Sequence, residues 1–406
     1  MESGREFDLL ILGAGPAGLA AAIFGGRARY RTGIICNGTV GGQVGTTFYL
    51  ENYPGFGKGT SAASVVEAFE RHAEQMGAEL LFDQIFGVDF TQERKILKGS
   101  SGNYVGRTII LCPGAEPRSP GIPGEERLRG RGVSYCALCD ADFFNQKRVC
   151  MIGSGDAAIE EAEYLTRFAA SVTIIVVHEE GKVDANATSY QNARNNPRIH
   201  WEWNAMVNSI EGQEQVEAVV IRDLLEGSQR RIETDGVFIY VGSRPNTDII
   251  RGEVALDAGG YIIVDHKMQT NCAGIFAAGD ACAKYLRQVV TAVADGAVAA
   301  VAAGRYLTDL DLFEREILAK PLTATGYYRP GNEADMEDLR EFESRLRLAD
   351  KEIPLIRVNS QRHEFLRERY AVSQLPHFQL FRHGDLQTEW KYVPSQEELL
   401  AGLLGK

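Results

Sequence analysis

The sequence predicts an α/β protein with two nucleotide-binding units of strand, glycine turn and helix, and a smaller α/β unit at its end. Three observations carry this. Residues 7–24 and 148–162 each run from an apolar strand-length stretch through clustered glycines into a helix-forming stretch. Beyond residue 320 strand and helix patterns alternate again, and no cysteine occurs after Cys282. The 406 residues are enough for two or three domains. The two glycine turns mark Rossmann-like nucleotide-binding domains.

The composition, 44% hydrophobic and 24% charged, suits a soluble chain with a large core. A net charge of -12 argues against nucleic acid as a general partner, although a local basic patch can still meet an acidic protein. The run from Asp8 to Phe24 is threaded with glycines and lacks a basic start, so it does not read as a signal peptide. No other run of about 18 apolar residues is seen, and no membrane span is expected. Seven cysteines are present; all but Cys136 and Cys139 are scattered singles. That usage fits a reducing, cytoplasmic setting rather than a secreted disulfide framework.

In the first unit, Phe7–Leu12 reads as a strand and residues 19–24 as a helix. Gly13 permits the tight turn between them, Gly15 lets backbone approach phosphate, and Gly18 lets the helix lie close to the strand. Pro16 and Ala17 lie in the turn, and the N-terminus of the helix that follows faces the negative charge. A second strand, Thr32–Cys36, ends where an acidic residue on a ribose is expected; Cys36 and Asn37 stand there instead. Arg148–Ile152 and the turn from Gly153 to Gly155 open the second unit, with a following strand at Thr173–Val177.

Ser134 to Asp140 places two thiols three positions apart with a carboxylate directly after the second. Such a pair can form an easily reduced small-ring disulfide, with Asp140 placed to pass a proton. Half a zinc site has the same spacing, but no second Cys-x-x-Cys is present to complete it. No metal site is expected.

Residues 8–55, including Gly41-Gly42-Gln43 and Glu51–Gly55, resemble the flavin-binding start of the low-molecular-weight thioredoxin reductases. The Cys pair with its flanking Ser-Tyr and Asp is similar to that family's redox motif. Residues 109–125 resemble its crossover into a second domain, with Cys112-Pro113 a mild departure, and residues 237–246 resemble the return. The resemblance implies a FAD-binding domain, residues 1–117 and 246–312, interrupted by an NAD(P)-type domain, residues 118–245, that carries the Cys pair. It further implies that Gly41, Gly42, Gln43, Asn52 and Gly114 border the flavin, with Gly279 and Asp280 at its ribityl or phosphate region. Arg287, Gln288 and Val289 would lie along the ring's polar edge. Cys139 would face flavin, Cys136 would attack an outside disulfide, and Asp140 would handle the proton. Domain rotation and a homodimer are also implied.

One departure concerns the electron donor. Where NADPH-using members carry His-Arg-Arg and a further Arg, this chain reads His178-Glu179-Glu180-Gly181-Lys182-Val183-Asp184. Carboxylates beside a 2′-phosphate repel it. NADPH is therefore not expected as donor; either Glu179 accepts a 2′-OH of NADH, or electrons arrive from ferredoxin or a similar carrier.

Residues 310–321 read as a charged connector, and residues 320–406 resemble a thioredoxin-like domain, with Pro376 in the place of its cis-proline. Asn332 to Asp335 stand where thioredoxin carries its own Cys pair, so this domain has no thiol chemistry. Docking, dimer contact or covering the flavin face are its expected uses. Tyr327, Tyr328, Trp390 and Tyr392 are candidates to stack there, set against the reading of ordinary core aromatics. Arg118, Arg127, Arg129 and Arg131 form a basic cluster that is either a solvated loop or a landing patch for an acidic partner. The expected function is a FAD-dependent disulfide reductase acting on a thioredoxin-like protein. The alternatives are an NADH-dependent reductase, a flavin dithiol oxidase using oxygen, and a non-catalytic regulatory flavoprotein.

Overall fold

The computed structural model describes residues 4–46, 49–91, 93–349 and 352–405. A seven-stranded sheet forms the first unit. Arg5–Leu12 runs at its centre, parallel to Thr32–Cys36 on one side and Gly102–Leu111 on the other. Glu79–Phe82 and Ile275–Ala277 extend the parallel part, while Ile85–Asp89 and Lys95–Gly99 add antiparallel strands. Leu9, Leu10 and Ile11 are fully buried, as a parallel strand covered on both faces requires. Leu9 and Ile11 point into the core beneath the helices, and Phe7, Leu10 and Leu12 into the core on the opposite face.

Ile275–Ala277 joins this sheet only after the chain has built the second unit. There a five-stranded parallel sheet runs in the order 199–202, 171–175, 148–152, 236–239, 133–134. A three-stranded antiparallel layer, Ala205–Glu211, Ala218–Asp223 and Gln229–Glu233, packs beside it. The outward and return crossings pair as a short ribbon, Ala115–Pro117 against Ser243–Pro245.

Helix Val289–Leu312 crosses Pro16–Arg27 at very short range, because Gly296 sits against the backbone of Ala17. It continues through a π-helical turn, Phe313–Leu318. The charged connector expected over 310–321 is thus mostly helix. Leu310, Phe313 and Ile317 fall on one helical face and are buried with Tyr327, Val358, Leu366 and Phe381 of the tail. The charges between them had hidden that spacing. Val289–Leu318 is also long and apolar enough by composition to cross a membrane. Here its Gly296, Ala299, Ala300, Ala303 and Leu307 are buried in protein.

The tail is a four-stranded mixed sheet in the order 355–359, 322–328, 377–382, 385–390, with helices Glu333–Ala349, Glu364–Arg369 and Gln396–Leu404. The Leu375–Pro376 peptide is cis. Strand Asp385–Trp390 was not anticipated; its polar, largely exposed sequence lacks the apolar alternation that marks a strand.

Candidate functional site

Cys136 and Cys139 are joined as a disulfide with their Cα atoms 5.3 Å apart. They flank the short helix Ala137–Asp140. The carbonyl of Cys136 accepts from the N–H of Cys139 and of Asp140, at 3.2 and 3.1 Å. Beneath the turn, the Tyr240 hydroxyl accepts from the Ala137 N–H at 2.7 Å. Ser134 Oγ donates to Asp140 Oδ2 at 2.6 Å and accepts from the Cys136 N–H at 3.1 Å. Burial pushes the Asp140 carboxyl above its ordinary value, and the Ser134 hydroxyl only partly offsets this. With both thiols bound to each other, neither is available as a zinc ligand.

The disulfide faces the first unit. Gln288 Nε2 lies 3.8 Å from Cys136 Sγ, and Gln288 Oε1 lies 3.9 Å from Cys139 Sγ. Asn52 Nδ2 donates to the same Oε1 at 3.0 Å. Two residues from separate parts of the chain, both expected at a flavin edge, therefore gather at the redox pair, Gln288 directly and Asn52 through Gln288. The units also touch through Lys58 and Asp142 at 2.6 Å and through the rings of Tyr49 and Phe143, 5.8 Å apart.

The glycine turn leads toward the same place. Gly13 has φ +106°, and a Cβ there would lie 2.1 Å from the Cys112 carbonyl oxygen. A Cβ on Gly18 would lie 1.9 Å from the Gly13 carbonyl oxygen. Around Gly15, by contrast, a Cβ would meet nothing within 4 Å, so this backbone is open to a close approach. Pro16 and Ala17 begin the helix, and the N–H of Gly41 donates to the Ala14 carbonyl at 2.8 Å, bringing Gly41 and Gly42 beside the turn. Gln43 donates to the Ala115 carbonyl, next to Gly114. Gly279 closes on Ala17, and its N–H donates to Asp295 at 3.2 Å.

Asp280 Oδ1 is buried without a hydrogen bond, 3.3 Å from the Lys284 ammonium. Its burial raises the carboxyl, with Lys284 opposing. Arg287 is turned inward: its guanidinium donates to the carbonyls of Asp280 and Cys282 and lies 4.0 Å over the Tyr261 ring. Val289 opens the long helix directly after Gln288.

At the second turn, a Cβ on Gly153 would lie 2.3 Å from the Tyr240 carbonyl oxygen, whereas Gly155 is open. Asp184 Oδ2 accepts from Ser154 Oγ at 2.7 Å and meets His178 Nε2 at 3.0 Å. Its own N–H donates to the Ser154 carbonyl at 2.9 Å, so the acidic loop is stitched onto the turn. These partners hold the Asp184 carboxyl below its ordinary value. Asp156 accepts twice from Asn186 at 2.7 Å, adding a second carboxylate at the head of helix Asp156–Leu165. Glu180 pairs with Arg194 at 3.7 Å.

The reading of ordinary core aromatics fits Tyr327, Tyr328 and Trp390. Tyr327 and Trp390 belong to the tail's own cores, Tyr328 packs against one of them, and Tyr392 bonds Glu398. The tail also docks at the far end of the long helix: His363 meets Asp309 at 2.6 Å, and Phe365 stacks edge-on to Tyr306. Tyr306 is 18 residues beyond Gln288, roughly 27 Å along a helix. Among the described residues no hydrogen bond, ion pair or ring contact joins the tail to the disulfide turn. In the basic cluster, Arg127 donates to the carbonyls of Gly212 and Gln213, and Arg129 lies 5.0 Å over Tyr135.

Sequence reasoning missed Tyr240, Ser134 and Tyr261 as site residues. Tyr240 and Ser134 lay inside stretches already singled out, but only the sheet register shows that they meet the disulfide turn.

The pyridine nucleotide-disulphide oxidoreductase family model matches residues 7–296. The thioredoxin reductase of Peptoclostridium acidaminophilum is 44% identical over 307 residues, 74% of this chain and 97% of that protein. That of Bacillus subtilis is 41% identical over 311 residues, 76% of this chain and 98% of that one. The solved thioredoxin reductase of Streptococcus pyogenes superposes with a TM-score of 0.72 at 36% identity, covering 75% of this chain and 99% of that structure. The tail from Leu322 onward lies outside the family match. The chain therefore belongs to the pyridine nucleotide-disulphide oxidoreductases, within the low-molecular-weight thioredoxin reductases, and is a flavin-dependent disulfide oxidoreductase.

Proposed function

We propose that electrons pass from FAD on the Gly13–Gly18 turn to the Cys136–Cys139 disulfide, and from there to a disulfide of a thioredoxin-like protein. One observation carries this reading: the disulfide rests on Gln288, whose amide is held by Asn52, both residues of the first unit. The residues fit the cofactor. The backbone at Gly15 has room for a pyrophosphate, and Asp280 offers a buried carboxylate oxygen without a hydrogen bond. When bound, the flavin supplies the two-electron chemistry. Gln43, Asn52, Gly114, Arg287, Gln288 and Val289 position it; Cys136 attacks the partner's disulfide, and Asp140 holds a proton beside the opening bridge. Cys136→Ser should abolish reduction of a thioredoxin-like substrate while leaving bound FAD. Retained turnover would refute the assignment.

The donor in this reading is not NADPH but ferredoxin or a similar carrier. Asp184 and Asp156 place negative charge on both sides of the turn that would hold a pyrophosphate. Like charges there repel a phosphate, although solvent at these exposed carboxylates screens the repulsion. A second reading, NADH, has its own support: among the described residues, the Glu179 carboxylate has no hydrogen bond or ion pair, is exposed at the loop, and only its backbone carbonyl is bonded, to Lys182. Anaerobic mixing with NADPH, NADH and reduced ferredoxin in turn, while following flavin absorbance, separates the three. Peroxide formation with small dithiols and no reduction of thioredoxin would instead favour the oxidase.

We read the tail as a thioredoxin-like domain without thiol chemistry, supported by its strand order and by the lack of cysteine beyond Cys282. Its place on the far end of the long helix suits a structural or docking role. A cytoplasmic homodimer, testable by sedimentation, completes the reading.

A further inference from the structure

We propose that Gln288 decides which sulfur of the opened pair carries the negative charge, and that it selects Cys136. This rests on the reading that Cys136 and Cys139 are the reacting pair. Opening the bridge takes two electrons from reduced flavin and one proton, and leaves one thiolate and one thiol. A thiolate accepts hydrogen bonds, and a thiol also donates one. Gln288 Nε2, which only donates, is the atom beside Cys136 Sγ at 3.8 Å; Oε1, which only accepts, is beside Cys139 Sγ at 3.9 Å. A Cys136 thiolate and a Cys139 thiol match both atoms. The opposite assignment sets a thiolate against a carbonyl oxygen.

The amide cannot turn over without loss. Asn52 Nδ2 donates to Oε1 at 3.0 Å, so turning the Gln288 amide alone would set two N–H donors against each other. The backbone N–H of Gln288 donates to the Thr291 hydroxyl at 3.2 Å, one half of a capping box at the head of the long helix. Gln288 also stands directly before a 24-residue helix, whose N-terminal end favours a nearby anion. Cys136 is then the sulfur that attacks the partner's disulfide and forms the mixed disulfide. Cys139 stays protonated until it loses its proton, attacks Cys136 Sγ and releases the partner's thiolate.

The other charged or titratable groups around the pair belong to different elements. Asp140 lies on the disulfide helix, Tyr240 beneath it, Glu161 on the helix packed against it, and Lys58 with Asp142 at its edge. Among the described residues none of these groups bonds either sulfur, but Cys136 is the N-cap of Ala137–Asp140, so the shift on changing Gln288, not the bare preference, isolates its part.

The test uses the holoenzyme, reduced anaerobically with dithiothreitol and alkylated with iodoacetamide across a pH series. Mass spectrometry reads each cysteine separately. In the unaltered protein Cys136 should react at lower pH than Cys139. Gln288→Leu should raise the Cys136 midpoint by about one pH unit, near a tenfold loss of thiolate at neutral pH. Asn52→Leu, which keeps the amide but frees it to turn, should give a smaller shift in the same direction. Circular dichroism and flavin absorbance control for folding. A Cys136 profile unchanged by Gln288→Leu, or Cys139 as the more acidic thiol, overturns the proposal. Neither result touches the reacting pair itself, which the turnover of Cys136→Ser tests separately.

Discussion

Gly296→Ala is the sharpest test of how the fold builds its cofactor turn. Gly296 lies on the helix Val289–Leu312 where it crosses Pro16–Arg27. A Cβ at this position would sit 2.0 Å from the Ala17 carbonyl oxygen, whereas real Cβ contacts essentially never fall below 3.0 Å. The two helices must therefore part by about an ångström, the difference 3.0 − 2.0. Both contacting groups are helix backbone, so no side chain can swing aside. Overpacking of this kind costs about 1–3 kcal/mol, a fall in Tm of several degrees. The shift falls on Ala17, between Pro16 and Gly18 of the cofactor turn, and the same long helix begins at Gln288. FAD affinity should drop about tenfold or more, equivalent to ~1.4 kcal/mol. Thermal melting and fluorescence titration of the apoprotein with FAD read both quantities. A variant with unchanged Tm and unchanged FAD affinity would refute the argument that this glycine sets the spacing.

Other expectations concern charge. Burial and neighbouring Glu160 raise the Glu161 carboxyl to about 7 from an ordinary 4.5. A raised acid favours folding below its unfolded value and loses that contribution as pH rises through the folded value. Glu161→Gln should therefore be more stable than the parent at pH 8, by ~1 kcal/mol after allowing for solvent screening, and equal to it below pH 4.5. An equal gain at both pH values in thermal melts would contradict this. Changing Glu179, Glu180 and Asp184 together to Arg should allow NADPH to bleach the flavin anaerobically; failure would show that charge is not what excludes it. Arg107, with its side chain 13% exposed, pairs with Asp311 at 2.6 Å, Glu314 at 3.0 Å and Asp8 at 3.5 Å. Arg107→Ala should destabilise the end of the long helix by about 1–3 kcal/mol and speed proteolytic cleavage between 313 and 322. Unchanged cleavage would mean that the apolar contacts of Phe313 and Ile317 suffice.

Much of the site was legible because its requirements are local. A tight turn beside a strand needs glycine at fixed offsets, and two thiols three apart can close on each other without help from the rest of the chain. The tail strand Leu322–Tyr328 and the helix Gln396–Leu404 are legible in the same way, from the local pattern of the chain. What failed to show lay where charge masked an apolar face, as at Phe313 and Ile317, or where an edge strand has no buried face to imprint, as at Asp385–Trp390.

The sequence by itself determined two nucleotide turns, a redox pair between them and a cysteine-free tail, since each depends on a few neighbouring residues and backbone sterics. Only the tertiary structure decided that Gln288 and Asn52 meet the disulfide, that Asp184 is tied to Ser154, and that the tail sits at the far end of the long helix. Those contacts join residues from 30 to more than 200 positions apart. They are set by sheet register and helix crossing, which arise from how whole faces pack and leave no short-range mark on the chain.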